Sequence, residues 1–100
     1  AMAMTPEKKV KNRVVKHLKE LGDQVYYFFP ATGGYGRSGV PDIVGCYNGK
    51  FFGIECKAGK NTTTPLQKLE LEKIDKATGV ALVINEDNMD NVISLLEGRV

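Results

Sequence analysis

Apolar residues recur at helical spacing near the start of the chain, where Val10, Val14, Leu18 and Leu21 line one stripe. Thr5 stands at the N-cap, Pro6 at the first helical position and Gly22 just past the end, so a first helix is expected over 6–21. The rhythm then changes. Residues 25–30 are aromatic and β-branched up to a closing proline, and they predict a strand. Two more apolar runs follow, joined by Asn48-Gly49. They read as a hairpin with a type I′ turn, because Asn and Gly tolerate the two positive φ angles that turn requires. The short loop sets the register: Tyr47 faces Lys50, and every cross-strand pair sums to 97. Beyond it, Asn61-Thr62-Thr63-Thr64-Pro65 leads into a second helix that reaches about Ala77 and is ended by Gly79. Thr64 and Gln67 form its capping box, and Leu66, Leu69, Ile74 and Ala77 are its expected apolar contacts. Residues 80–84 make a short strand, and Asp87 or Asn88 can cap a last helix through Leu96.

The order α-β-β-β-α-β-α predicts an α/β fold: a mixed central sheet flanked by helices, in which strand 25–30 pairs with the hairpin and the central strand is buried on both faces. At 100 residues the chain suits one domain with one core. Ala1-Met2-Ala3 reads as an expression remnant ahead of Met4, so the domain is expected over 4–100. No apolar run approaches the roughly 20 residues that cross a bilayer, and no basic-then-apolar leader opens the chain. The expected location is therefore inside the cell, in the cytoplasm, or in the host cytoplasm if the source is viral. Two cysteines do not make a disulfide scaffold. The register sends Cys46 and Cys56 to opposite faces of the hairpin, which forbids a bridge between them, and both read as small buried hydrophobes.

The same register changes the picture chemically, because it sets Asp42 directly opposite Glu55. Counting outward from the turn, that is a non-hydrogen-bonded pair, where Cα atoms approach to about 4.5 Å. Like charges so placed destabilise a sheet, and the apolar neighbours on both faces would leave them poorly hydrated. A positive group belongs there. A hard divalent cation suits two carboxylates, and Lys57 adds a fixed charge on their face. The plainer reading is that Asp42 ends a strand in a turn while Glu55 and Lys57 form a surface ion pair.

Pro41-Asp42, twelve intervening residues, then Glu55-Cys56-Lys57 resembles the signature of the PD-(D/E)XK nuclease superfamily. The words Gly39-Val40-Pro41-Asp42-Ile43-Val44-Gly45 and Phe52-Gly53-Ile54-Glu55-Cys56-Lys57, followed by a helix carrying Gln67, are similar to the VRR-NUC (virus-type replication-repair nuclease) branch and its small stand-alone members. The resemblance covers essentially the whole chain. It implies a restriction-endonuclease-like core and a Mg²⁺- or Mn²⁺-dependent endonuclease hydrolysing DNA phosphodiester bonds. Selectivity for branched or junction DNA, in replication, repair or recombination, would follow, with Asp42, Glu55 and Lys57 as catalytic residues. It implies as well that the Cys56 backbone carbonyl joins Asp42 and Glu55 in holding the metal, that Glu7 on the first helix adds a further ligand, and that Gln67 touches substrate at the site's edge. Glu7 is equally well read as a first-turn acid favoured by the helix dipole, and Gln67 as a capping residue. A symmetric branched substrate needs two active sites, so a homodimer is expected. Two other classes stay open: a nuclease-like fold that binds DNA without cutting, and an interaction domain with no nucleic-acid role.

Charge supports a polyanionic partner. The net charge is only +2, yet residues 1–60 carry ten basic and five acidic side chains against four and seven in 61–100, so the halves stand at +5 and −3. The proposed site lies in the basic half, the side a nucleic acid would approach. Lys8 and Lys11 belong to a helical run of lysines whose other reading is a solvated face. Lys60 sits near the second helix's N-terminus, where phosphate is favoured. The glycine-rich segment before Asp42 supplies Arg37, whose fork suits phosphate, and Tyr35, which can stack on a base or pack on a sugar; a plain connecting loop is the alternative. His17 has no partner in the sequence and reads as a solvated helix residue rather than a base.

Overall fold

The computed structural model describes residues 4–31 and 37–98. Thr5 caps α1 (Pro6–Glu20) by accepting the Lys8 amide through its hydroxyl, Leu21 closes it, and Gly22 leaves it at φ +57°. A short 3₁₀ turn, Gly22–Gln24, leads into β1 (Val25–Phe28). β2 (Ile43–Tyr47) and β3 (Lys50–Cys56) form the expected hairpin, with Asn48 and Gly49 both at positive φ and the register Ile43–Ile54 through Tyr47–Lys50. α2 (Pro65–Lys76) crosses over to β4 (Val80–Ile84), and a 3₁₀ turn, Met89–Asn91, precedes α3 (Val92–Glu97).

The sheet order is β1-β2-β3-β4, antiparallel except for the parallel β3–β4 pair that the α2 crossover makes possible. Alternation along the strands divides its faces. Ile43, Tyr47, Phe52, Ile54 and Cys56 join Val80, Leu82 and Ile84 in a core against Val10, Val14 and Leu18 of α1 and Val92 and Leu96 of α3. The other face receives α2: a Cβ at Gly53 would meet Ile74 Cδ1 at 2.6 Å and Pro41 Cγ at 3.0 Å, so the helix lies close over β3 where the strand carries no side chain. Glu55 and Lys57 emerge on that second face, both buried. Cys46 and Cys56 are free thiols; Cys56 is in the core, but Cys46 is only half-buried, because α2 does not reach over that edge of the sheet.

Two element expectations are corrected. Leu66 and Leu69 of α2 are exposed, and the buried leucine is Leu71. The inward stripe is Gln67, Glu70, Leu71 and Ile74, because the face that meets the sheet also meets the buried charges there. Asn88 does not cap α3 directly: its side chain accepts the Asn85 amide and donates to the Val83 carbonyl, pinning the turn after β4.

Candidate active site

Four elements converge at one end of the sheet: the start of β2, the end of β3, and the N-termini of α1 and α2. Asp42 lies one step beyond the last paired residues Ile43 and Ile54, which places it opposite Glu55. One of its oxygens, Oδ2, accepts the Cys56 amide at 2.8 Å, so the strand end itself orients the carboxylate. Glu55 is 3 % exposed. Its Oε2 accepts Gln67 Nε2 at 3.1 Å and lies 3.6 Å from Lys57 Nζ. Its Oε1 is buried with no hydrogen-bond partner.

A buried carboxylate oxygen without a partner is costly, and such orphans ask for an explanation. Burial first, then the Asp42 charge, push the Glu55 carboxyl up to about 7, with Lys57 opposing. Lys57 alone thus does not offset the burial of Glu55 and the neighbouring Asp42 charge. Burial, with Asp42 and Glu55 adding to it, pushes the Cys56 thiol up to about 12, which makes it a poor nucleophile. Among the described residues no group of three or more His, Cys, Asp or Glu side chains is placed to hold a metal. A set of two carboxylates fits Mg²⁺, which characteristically keeps several waters and takes one or two protein carboxylates.

Gln67 fulfils the capping expectation. Its Oε1 accepts the Thr64 amide at 2.9 Å while its own amide donates to Thr64 Oγ1, a complete capping box, and its Nε2 reaches Glu55 at the same time. One side chain thus caps the helix and holds the Glu55 carboxylate. Glu7, exposed on the first turn of α1, lines a groove together with Asp42 and Cys56. Lys8 and Lys11 line that groove too, and Lys60 is exposed on the loop after β3. Arg37 is not a free cation: its Nη2 meets Glu70 Oε2 at 2.8 Å, and Lys73 joins the same carboxylate at 3.4 Å. Tyr35 lies outside the described residues.

His17 also has a partner that the local sequence conceals. Its Nε2 lies 3.1 Å from Asp90 Oδ1, which Arg13 meets at 3.2 Å, so the histidine ties α1 to the turn before α3, well away from the carboxylates. Three supporting residues escaped the sequence reading. Glu70 anchors Arg37; Glu86 accepts the Gly59 amide with both oxygens at 3.1 Å, pinning the loop that follows Lys57. Gly39 packs on the first turn of α2 at a φ of +81°, and the sequence signal for it is the glycine that opens the Gly-Val-Pro-Asp word.

A mixed four-stranded sheet carrying Asp, Glu and Lys at the hairpin's open end is the arrangement of the PD-(D/E)XK nuclease class that the sequence resembles, and two solved structures share the fold. A VRR_NUC domain superposes with a TM-score of 0.74 at 22 % identity, over 91 % of this chain and 97 % of its own. A VRR_NUC domain protein gives 0.68 at 23 %, over 95 % and 88 %. A family model described as archaeal Holliday junction resolvase (Hjc) matches residues 7–85, and the chain belongs to that family. The chain is thus a nuclease with DNA as its substrate. A relative that is 27 % identical over 93 residues, 92 % of this chain and 96 % of its own length, is p44 of Acyrthosiphon pisum secondary endosymbiont phage 1, provisionally named a nuclease.

Proposed function

We propose that the chain is a Mg²⁺- or Mn²⁺-dependent endonuclease selective for branched DNA, acting as a homodimer. The observation that carries the metal dependence is the buried, partnerless Oε1 of Glu55 beside Asp42. Asp42 and Glu55 would hold the cation, with the Cys56 backbone carbonyl as a further oxygen donor; Glu7 makes no three-carboxylate cluster with them and would act from the groove through a water ligand. When bound, such a cation supplies Lewis-acid polarisation of the phosphate and an acidified water.

The chain's own groups do the rest. Lys57 Nζ, held against Glu55, orients the attacking oxygen or offsets charge growing on the phosphoryl group. Gln67 fixes the Glu55 carboxylate and stands at the edge where substrate backbone enters. Lys8, Lys11 and Lys60 meet flanking phosphates, and Arg37 can exchange Glu70 for a phosphate. Tyr35 is proposed on sequence grounds alone as a residue that stacks on a base or packs on a sugar.

Cleavage of labelled four-way junction, flap, duplex and single-stranded DNA with Mg²⁺, Mn²⁺ or EDTA tests the reading. Metal-dependent cutting is expected, strongest on branched substrates, and abolished in Asp42→Ala and Lys57→Ala with the fold intact by circular dichroism. Unchanged turnover in either variant, or equal cutting in EDTA, would sink it.

A further inference from the structure

We infer that the groove running from Asp42 along α1 is a nucleobase subsite with Phe29 as its stacking platform, so that the enzyme takes a strand unpaired beside the cleaved phosphate. This deepens the nuclease reading and rests on it. The groove encloses about 490 Å³, within the roughly 300–1,000 Å³ of small-molecule sites. It is continuous from Glu7 and Asp42, past Lys8, Lys11 and Asn12, to Phe29 and Val15. Glu7 and Val15 are two turns of α1 apart, on the order of 12 Å at 1.5 Å per residue.

Phe29 is 48 % exposed even though it immediately follows β1, and the Tyr27 ring, 6.1 Å away at 63°, fixes its tilt. Lys11 Nζ rests over the ring, 4.5 Å from its centroid. Both side chains line the groove, and the ammonium standing between the ring and the rest of it is displaceable. The ammonium marks the place a base would take, and the flexible lysine needs only to move aside to a neighbouring phosphate. Stacking of this kind tolerates every base, since each has a π-face. Asn12, whose amide donates to Met4 Sδ at 2.9 Å, stands in the same wall and offers both a donor and an acceptor to a base edge. Lys8 and Lys11 supply the charge complementarity for a strand on this path. A base inside a duplex is stacked on its neighbours and cannot offer its face to Phe29; a base at a flap junction or crossover can.

The test places 2-aminopurine at successive positions around a flap junction and reads its fluorescence on binding Asp42→Ala protein in EDTA. A response at one or two positions is expected, lost when Phe29→Ala is added and kept with Phe29→Tyr. With wild type, an abasic nucleotide at the responding position should weaken binding roughly 5- to 100-fold, the span of one stacked base, and Phe29→Ala should then cost nothing further. The abasic comparison needs no mutant to fold. Cutting without any position-specific response overturns the subsite and leaves the nuclease standing, with Lys11 and Phe29 a structural pair only. A position-specific response with no cutting of any substrate overturns the nuclease and supports the subsite.

Discussion

At the scale of single residues, Glu55 links stability to pH. An acid whose folded-state pKa is raised stabilises the fold through its neutral form. That contribution is whole below the ordinary value of 4.5 and is lost as pH rises through about 7. Metal-free protein should therefore melt at a lower temperature at pH 8 than at pH 5, and the difference should shrink in Glu55→Gln and on adding Mg²⁺, as read by thermal melts with and without EDTA. Because a carboxylate ligand must lose its proton, Mg²⁺ affinity should climb through the same window. Gln67 allows a sharper test. Gln67→Glu keeps the capping box, since glutamate is equally suited to that position, but turns an acceptor toward Glu55 Oε2 where an N–H now donates at 3.1 Å. Melting little changed at pH 5 but lowered at pH 8, with cleavage reduced roughly 10- to 100-fold, is the expected pair of results.

At the scale of elements, the hairpin was legible and α2 was only half so. Asn48-Gly49 fixes the β2–β3 pairing by itself, so the opposition of Asp42 and Glu55 followed from counting. The ends of α1 and α2 were legible for a similar reason: Thr5, Pro6 and Thr64 act on the residues beside them. The rotation of α2 was not legible. Reading its apolar residues as the buried ones selects Leu66 and Leu69, whereas the helix turns Gln67 and Glu70 inward to serve the site. Periodicity fails where an element faces chemistry rather than a core. The Arg37–Glu70 and His17–Asp90 pairs span 33 and 73 residues and have no local signature. Gly39 joins these elements, for a Cβ there would sit 2.6 Å from the Leu66 carbonyl carbon at a φ that alanine avoids. Gly39→Ala should cost about 1–3 kcal/mol in urea unfolding. It should depress cleavage further than stability alone accounts for, since it pushes the Asp42 loop away from the Gln67 turn.

At the scale of the whole molecule, α2 covers β3 and β4, and toward the β1–β2 side of the same face Val44 is buried while the aromatic rings around it stay exposed. Tyr26 there is 71 % exposed, with Phe28 and Phe51 about half so. Exposed aromatics clustered in this way mark an interaction surface. The expected occupant is a second copy of the chain. Light scattering should give twice the monomer mass, and Phe28→Glu should halve it while leaving circular dichroism unchanged.

Contact order across the parallel β3–β4 pair predicts the sequence of events by which the site comes into being. Asp42 and Glu55 belong to a hairpin, a local structure that closes within roughly 1–10 μs, whereas β4 docks only after the chain has wrapped through α2, a slower and less local event. The two repelling carboxylates therefore meet early. Their stabilising company comes later: Gln67 arrives with α2, and the Lys57 amide finds the Ile84 carbonyl, at 2.9 Å, only when the crossover closes. A half-folded chain thus carries the charges of the site without the means to use them, and DNA cleavage during refolding should lag behind hairpin formation and keep time with the last strand.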